Sequence, residues 1–228
     1  MIPYKDDNPT EKFPFVTIAL IALNVLVFLW QATAAGGFEK TIFSYGAVPS
    51  SILDMKSSQP LHPGMTIFTA MFMHAGLLHV GGNMLYLWIF GNNIEDRLGH
   101  FSFLLFYLAG GVVAAYAHAL SAPHSDIPMV GASGAVAAVL GAYLLLYPRA
   151  GVYTLLFLGF FVQVVRLPAL IVIGFWAIIQ FINGAVSRGS VPGGGVAWFA
   201  HIGGFVFGLV VVKVFLMMKG SRRKGYEW

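Results

Sequence analysis

The sequence predicts an all-α membrane protein, a bundle of six spanning helices with both termini on the cytoplasmic side. Mean hydropathy is +0.78, and 58% of the 228 residues are hydrophobic against 10% charged, a balance foreign to water-soluble domains. Apolar runs of seventeen or more residues recur between Pro14 and Met218, each able to cross a hydrocarbon core of about 30 Å at about 1.5 Å per residue. Basic residues are unevenly shared between the segments that join these runs. An N-in arrangement puts Lys5, Lys12, Arg97, Arg149, Arg166, Lys213, Lys219, Arg222, Arg223 and Lys224 on the cytoplasmic side and leaves only Lys40, Lys56 and Arg188 outside.

Taken in order, residues 1–13 form a cytoplasmic N-terminus, 14–218 the membrane domain and 219–228 a basic cytoplasmic tail. The first helix is expected near 14–34. Ala32-Thr33-Ala34 imitates a signal-peptide cleavage site, but the apolar stretch before it is too long for a signal core and is preceded by Asp6, Asp7 and Glu11, so a retained helix is expected. The long semi-polar segment from Ala35 to Met73, punctuated by Pro49, Pro60 and Pro63, reads as an ordered or membrane-hugging loop. Further helices are expected near 76–92, 100–121, 130–147, 167–183 and 196–218. Val152 to Val165 is apolar but too short to span, and its crossing would carry the basic tail outside, so it reads as interfacial or packed on the bundle. Gly193 to Gly195, just before the last helix, read as a hinge.

Several function classes fall away. With no cysteine there is no thiolate nucleophile, disulfide framework or cysteine-held metal. The net charge of +4 follows helix ends rather than a basic face, which argues for topology and against nucleic acid. No His-Glu-x-x-His stretch is present, and the only carboxylates near a span are Glu95 and Asp96 at the inner end of the second, which removes zinc-protease and paired-aspartate chemistry. His62, His100, His118 and His124 lie in loops or near span ends and read as solvated or interfacial rather than metal-binding.

Polar groups in hydrocarbon are costly when unpaired, so those inside the spans are functional candidates. In the N-in arrangement the second, fourth and sixth helices all start at the outer face. His79 and Asn83, Ser133 and His201 then fall at one depth, although the topology rests on Lys and Arg alone. Ser133 sits among small residues in Gly131-Ala132-Ser133-Gly134, with Ala137 and Gly141 continuing its face; Gly204 and Gly208 form a Gly-x-x-x-Gly seam below His201. Two small-residue faces permit a close approach of helices, bringing imidazole to hydroxyl. His79 and Asn83, one turn apart, can aim two donors at a developing oxyanion, and His74 in the same run reads as lining the access to the site. With no carboxylate at this depth, a Ser/His dyad is the nucleophilic arrangement left. The plainer alternatives are a packing serine and a core histidine satisfied by a carbonyl. At the level of whole function they are a transporter lined by these groups, or a non-catalytic helix-binding adaptor.

The spacing His74-x4-His79-x3-Asn83, the turn Gly91-x3-Glu95-x3-Gly99, Gly131-x-Ser133-Gly134 and Ala200-His201-x2-Gly204-x3-Gly208 together resemble the rhomboid proteases over roughly residues 60 to 215. The resemblance implies a rhomboid-like bundle that cleaves the transmembrane helices of single-span substrates near the outer face. Ser133 would be nucleophile and His201 base, with His79, Asn83 and the backbone N–H of Ser133 forming the oxyanion hole. No cofactor and no metal are implied. A prokaryotic plasma (inner) membrane is the expected location, with the lipid bilayer as the surrounding partner. Two positions depart from the pattern. Ala137 stands where some members carry a tyrosine stacked on the catalytic histidine, so another side chain must hold the imidazole, and Met65-Thr66 replaces a Trp-Arg pair in the first outer loop.

Overall fold

The computed structural model describes residues 1–159, 161–187 and 196–223. After a strand β1 (Ile2–Asp6), helix α1 (Phe15–Thr33) leads into three short helices, α2 (Gly37–Tyr45), α3 (Pro49–Asp54) and α4 (Pro63–Ala70). The segment 35–73 is therefore ordered. It is tied down by Thr69 Oγ1 donating to the Tyr45 carbonyl (2.6 Å) and by the Gln59 amide donating to the carbonyls of Phe43 (2.8 Å) and Gly46 (2.9 Å). A buried apolar cluster that includes Ile52, Ile67, Met71 and Ala115 seats it on the bundle.

Helices α5 (Leu77–Leu98) and α6 (His100–Ser121) are separated by one residue. Gly99 turns the chain at φ +85°, a conformation that side chains disfavour. Just before that turn, buried Glu95 accepts the N–H groups of Val16 (2.9 Å) and Thr17 (2.7 Å) and the Thr17 hydroxyl (2.6 Å), and lies 2.5 Å from His100 Nδ1. The first turn of α1 has no capping side chain of its own, so α5 supplies the acceptor its orphan donors need. The carboxylate singled out in Gly91-x3-Glu95-x3-Gly99 is thus a staple between helices, far from the hydroxyl chemistry.

Helix α7 (Ser133–Leu146) is buried continuously from Gly134 to Tyr143, and α9 (Trp198–Arg223) runs along it. The small residues explain the closeness. A Cβ added at Gly204 would strike the Gly134 carbonyl, one at Gly208 the Ala138 carbonyl, and one at Gly141 the Phe205 carbonyl, while Ala137 packs beside Gly204. The expected seam of Gly204, Gly208, Gly141 and Ala137 is therefore a backbone-to-backbone contact.

The bundle is helical as expected, but the structure adds a small sheet that the all-α reading did not include. The apolar segment 152–165, expected to be interfacial or packed on the bundle, does pack on it through buried Val152, but as strands. It forms the hairpin β2 (Gly151–Leu158) and β3 (Phe161–Pro168), and β1 adds antiparallel to β2, making a three-stranded sheet in the order β1-β2-β3. The chain reverses at Gly159, whose φ is +64°. Asp7 fastens this sheet, accepting the N–H of Gly151 (2.8 Å) and Arg166 Nε (2.6 Å), and the Tyr143 hydroxyl donates to Asp6 Oδ2 (2.6 Å), joining the sheet to α7. β3 runs without a break into α8 (Ala169–Ser187).

Among the described residues, four helices are long and apolar enough to cross a membrane: α1, α6, α8 and residues Trp198–Met218 of α9. α5 has 22 residues but carries Glu95, Asp96 and Arg97 in its last turns. α7 has 14, about 21 Å at 1.5 Å per residue. The hinge expected at Gly193 to Gly195 and the end of the basic tail, 224–228, lie outside the described residues.

Candidate active site

Ser133 is the first residue of α7, so its N–H and those that follow in the first turn lack an intrahelical carbonyl and face whatever lies beyond the helix start. The residues just before it are held extended, with Ala47 bridging Met129 and the Gly131 N–H donating to the Ala70 carbonyl (2.8 Å). Gly131 itself has φ +130°, and a Cβ there would come within 2.7 Å of His79 Nε2. Only glycine lets the chain turn here while the His79 ring lies against it.

Across the seam, His201 stands in the first turn of α9, and its Nε2 lies 2.8 Å from Ser133 Oγ. The approach of imidazole to hydroxyl expected from small-residue packing is present as a hydrogen bond, a geometry in which a hydroxyl proton can be withdrawn. The other ring nitrogen, Nδ1, lies 2.7 Å from Oε1 of Gln180 on α8. Two indoles enclose the ring: Trp176 at 6.0 Å, tilted by 36°, and Trp198 at 6.1 Å, edge-on. Gln180, Trp176 and Trp198 therefore do what the missing tyrosine at Ala137 would have done. Sequence reasoning passed over Gln180, although a signal existed: with Asn183 it is one of two polar residues in the apolar stretch 167–183.

His79 and Asn83, from the first two turns of α5, line the same cleft as Ser133 and His201. The cleft has a volume of about 770 Å3 and is walled elsewhere by apolar side chains such as Tyr86, Met129, Val136 and Trp176. The Ala75 N–H is 3.4 Å from His79 Nδ1, an arrangement that leaves Nε2 as the proton-bearing nitrogen. Asn83 is nearly buried, and its Nδ2 has no hydrogen-bond partner. A buried amide donor without a partner, on a residue that lines the cleft beside the Ser133 hydroxyl, has its hydrogen-bonding capacity unspent.

His74 is a correction. It was expected to line the access to the site, but it is fully buried, packs edge-on against the His79 ring at 5.0 Å, and does not line the cleft. Its backbone N–H donates to Gln31 Oε1 (2.9 Å), which ties α1 to the turn before α5. The residue supports His79 from behind because the chain between α4 and α5 folds inward there.

Comparison with known proteins places this chain in a family. The model of the Rhomboid domain matches residues 63–218, a span that holds His79, Asn83, Ser133, Trp176, Gln180 and His201. Among curated proteins, the rhomboid protease GluP of Bacillus subtilis (strain 168) is 32% identical over 132 residues, 58% of this chain and 24% of the relative. Rhomboid protein 1, mitochondrial, of Saccharomyces cerevisiae is 30% identical over 198 residues, 84% of this chain and 51% of the relative. The human presenilin-associated rhomboid-like protein, mitochondrial, is 32% identical over 145 residues, 62% and 35% respectively. The chain thus spans between about a quarter and half of the length of these relatives. With the domain model covering most of the sequence, the chain belongs to the rhomboid family, in which the Bacillus subtilis relative is named a protease.

Proposed function

We propose that this protein is an intramembrane serine endopeptidase in which Ser133 is the nucleophile and His201 its base. The 2.8 Å contact between Ser133 Oγ and His201 Nε2, inside a cleft otherwise walled by apolar groups, carries the reading. His201 Nε2 takes the hydroxyl proton as Oγ attacks the scissile carbonyl. The resulting oxyanion is met by the Ser133 N–H at the positive end of α7, by His79 Nε2 and by Asn83 Nδ2, donors whose individual loss costs roughly 3–4 kcal/mol of transition-state stabilisation where such sites have been dissected. His201 then returns the proton to the leaving amine. A water deprotonated by the same nitrogen attacks the acyl ester, releases the new carboxyl end and restores the serine. No cofactor enters this sequence.

In this reading the chain crosses the membrane six times, α5 and α7 joining the four long apolar helices, with both termini in the cytoplasm. The sheet then lies at the inner face and the cleft opens outward. Substrates are single-span membrane proteins cut near the outer end of their helices. A peptide bond within a helix is shielded, so the substrate must fray into the cleft, which favours small residues at the cut and Gly, Pro or polar residues nearby. The host membrane is proposed to be a prokaryotic plasma membrane, a placement to which the mitochondrial relatives give no support. The test is cleavage of a single-span reporter by purified protein in liposomes. Wild type should cut it, and Ser133→Ala and His201→Ala should each lower kcat by at least 1,000-fold, on the order seen when members of such catalytic units are removed. Cleavage persisting in folded Ser133→Ala refutes the assignment.

A further inference from the structure

The dyad lacks the carboxylate that usually orients a catalytic imidazole. Among the described residues the one buried carboxylate, Glu95, is engaged by α1 and His100. Yet His201 Nδ1 is not left without a partner. Gln180, itself only 6% exposed, presents Oε1 to it at 2.7 Å. The amide's other end fixes which atom faces the ring. Gln180 Nε2 donates to the Trp176 carbonyl (3.2 Å), one turn back on α8. A flipped amide would set its oxygen against that carbonyl, two acceptors face to face, so the hydrogen-bond network selects the orientation with Oε1 toward the imidazole.

We propose that Gln180 is a positioning residue of the dyad, whose side-chain carbonyl accepts the Nδ1 proton of His201 and thereby holds the tautomer that leaves Nε2 free to accept the proton of Ser133. This rests on the assignment of Ser133 and His201 as nucleophile and base. A neutral imidazole carries one N–H and one lone pair, and an acceptor at Nδ1 decides which nitrogen has which. As the ring becomes doubly protonated during attack, both N–H groups need acceptors in an apolar site, and Gln180 provides the second. Because Trp176, four residues earlier, covers the same ring, α8 supplies both the polar and the apolar restraint on His201. A competent base therefore depends on α8 being seated: a displacement of α8 at the level of Gln180 removes the base's orientation along with its wall.

The experiment compares wild type, Gln180→Leu, Gln180→Glu and Ser133→Ala in liposomes with a single-span reporter, folding being checked by thermal unfolding. Gln180→Leu should lower kcat about 10- to 100-fold with KM changed less than twofold, the range typical when the partner of a functional imidazole is deleted. Gln180→Glu, which keeps the acceptor toward Nδ1 but sets its second oxygen against the Trp176 carbonyl, should recover part of that loss. Unchanged kcat in Gln180→Leu, or a rise in KM with kcat intact, overturns the proposal. An active Gln180→Leu beside a dead Ser133→Ala overturns it alone, whereas a Ser133→Ala that still cleaves overturns the parent assignment as well. Wild-type protein carrying 15N-histidine gives a reading independent of variant folding. The Nδ1–H tautomer at His201 is expected, and a dominant Nε2–H tautomer contradicts the proposal.

Discussion

His201 is held from two sides by helices of opposite character. Against α7 the contact is buried on every side, with glycines at Gly204 and Gly208 pressed on the carbonyls of Gly134 and Ala138. Against α8 the contact is made by long side chains, and the far face of α8 exposes Leu170, Ile171, Phe175, Ile178 and Ile182. The first contact fixes how far the imidazole stands from the hydroxyl, because backbone atoms have no slack. The second fixes how the ring is turned, and it can be lost without disturbing the first. Distance and orientation are thus assigned to different helices, and only the helix that sets orientation is lightly attached.

That difference can be broken most severely at the seam. Gly204→Ala puts a methyl into the Gly134 carbonyl, and we expect about 3 kcal/mol of lost stability together with loss of cleavage, read by thermal unfolding and the reporter assay. Gly131→Ala should cost somewhat less stability, about 1–3 kcal/mol from a strained φ, but should depress kcat, since its methyl collides with the His79 ring. On α8 the same exchange has the opposite sign. A Cβ at Gly174 meets nothing within 4 Å, so Gly174→Ala should stabilise by about 0.5–1 kcal/mol through helix propensity alone. Equal effects at Gly204 and Gly174 would show that the two contacts do not differ.

The smallest effects are expected where the sheet meets the root of α8. Arg166 beside Asp7 holds that carboxyl below the usual carboxylate range. A depressed folded-state value means stability that is present above the unfolded pKa and lost as pH falls through the folded one. Asp7→Asn should therefore be slightly less stable than wild type at pH 7, and the two should converge below about pH 4. Asp6 is the reverse case. Burial raises its carboxyl, so its contribution is complete at low pH and is lost as pH rises through the folded value. Asp6→Asn, still able to accept from Tyr143, should be neutral or stabilising at pH 7. Thermal unfolding of the two variants between pH 3 and 8 should give curves of opposite slope.

Much of the site was legible because the hydrocarbon filter is severe. His79, Asn83, Ser133 and His201 stand out as polar groups in apolar runs, and Gly204, Gly208, Ala137 and Gly141 mark where two helices touch. Gln180 obeys the same rule, but with only Asn183 for polar company in its span and no motif beside it, it did not announce a partner 21 residues away. The hairpin was illegible for a different reason. Strands with apolar residues on both faces show no alternation, and the partner strand lies at the N-terminus, with Ile2 opposite Leu155. His74 misled because spacing gives the side of a helix but not the path of the chain that precedes it.

The central claim is that Ser133 is made nucleophilic by His201. It is tested most directly by treating the membrane-reconstituted protein with a fluorophosphonate and locating the adduct by mass spectrometry. The account predicts one adduct, on Ser133, with labelling strongly slowed in His201→Ala and absent in Ser133→Ala. Undiminished labelling of Ser133→Ala, or an adduct on another hydroxyl of the wild type, would contradict it.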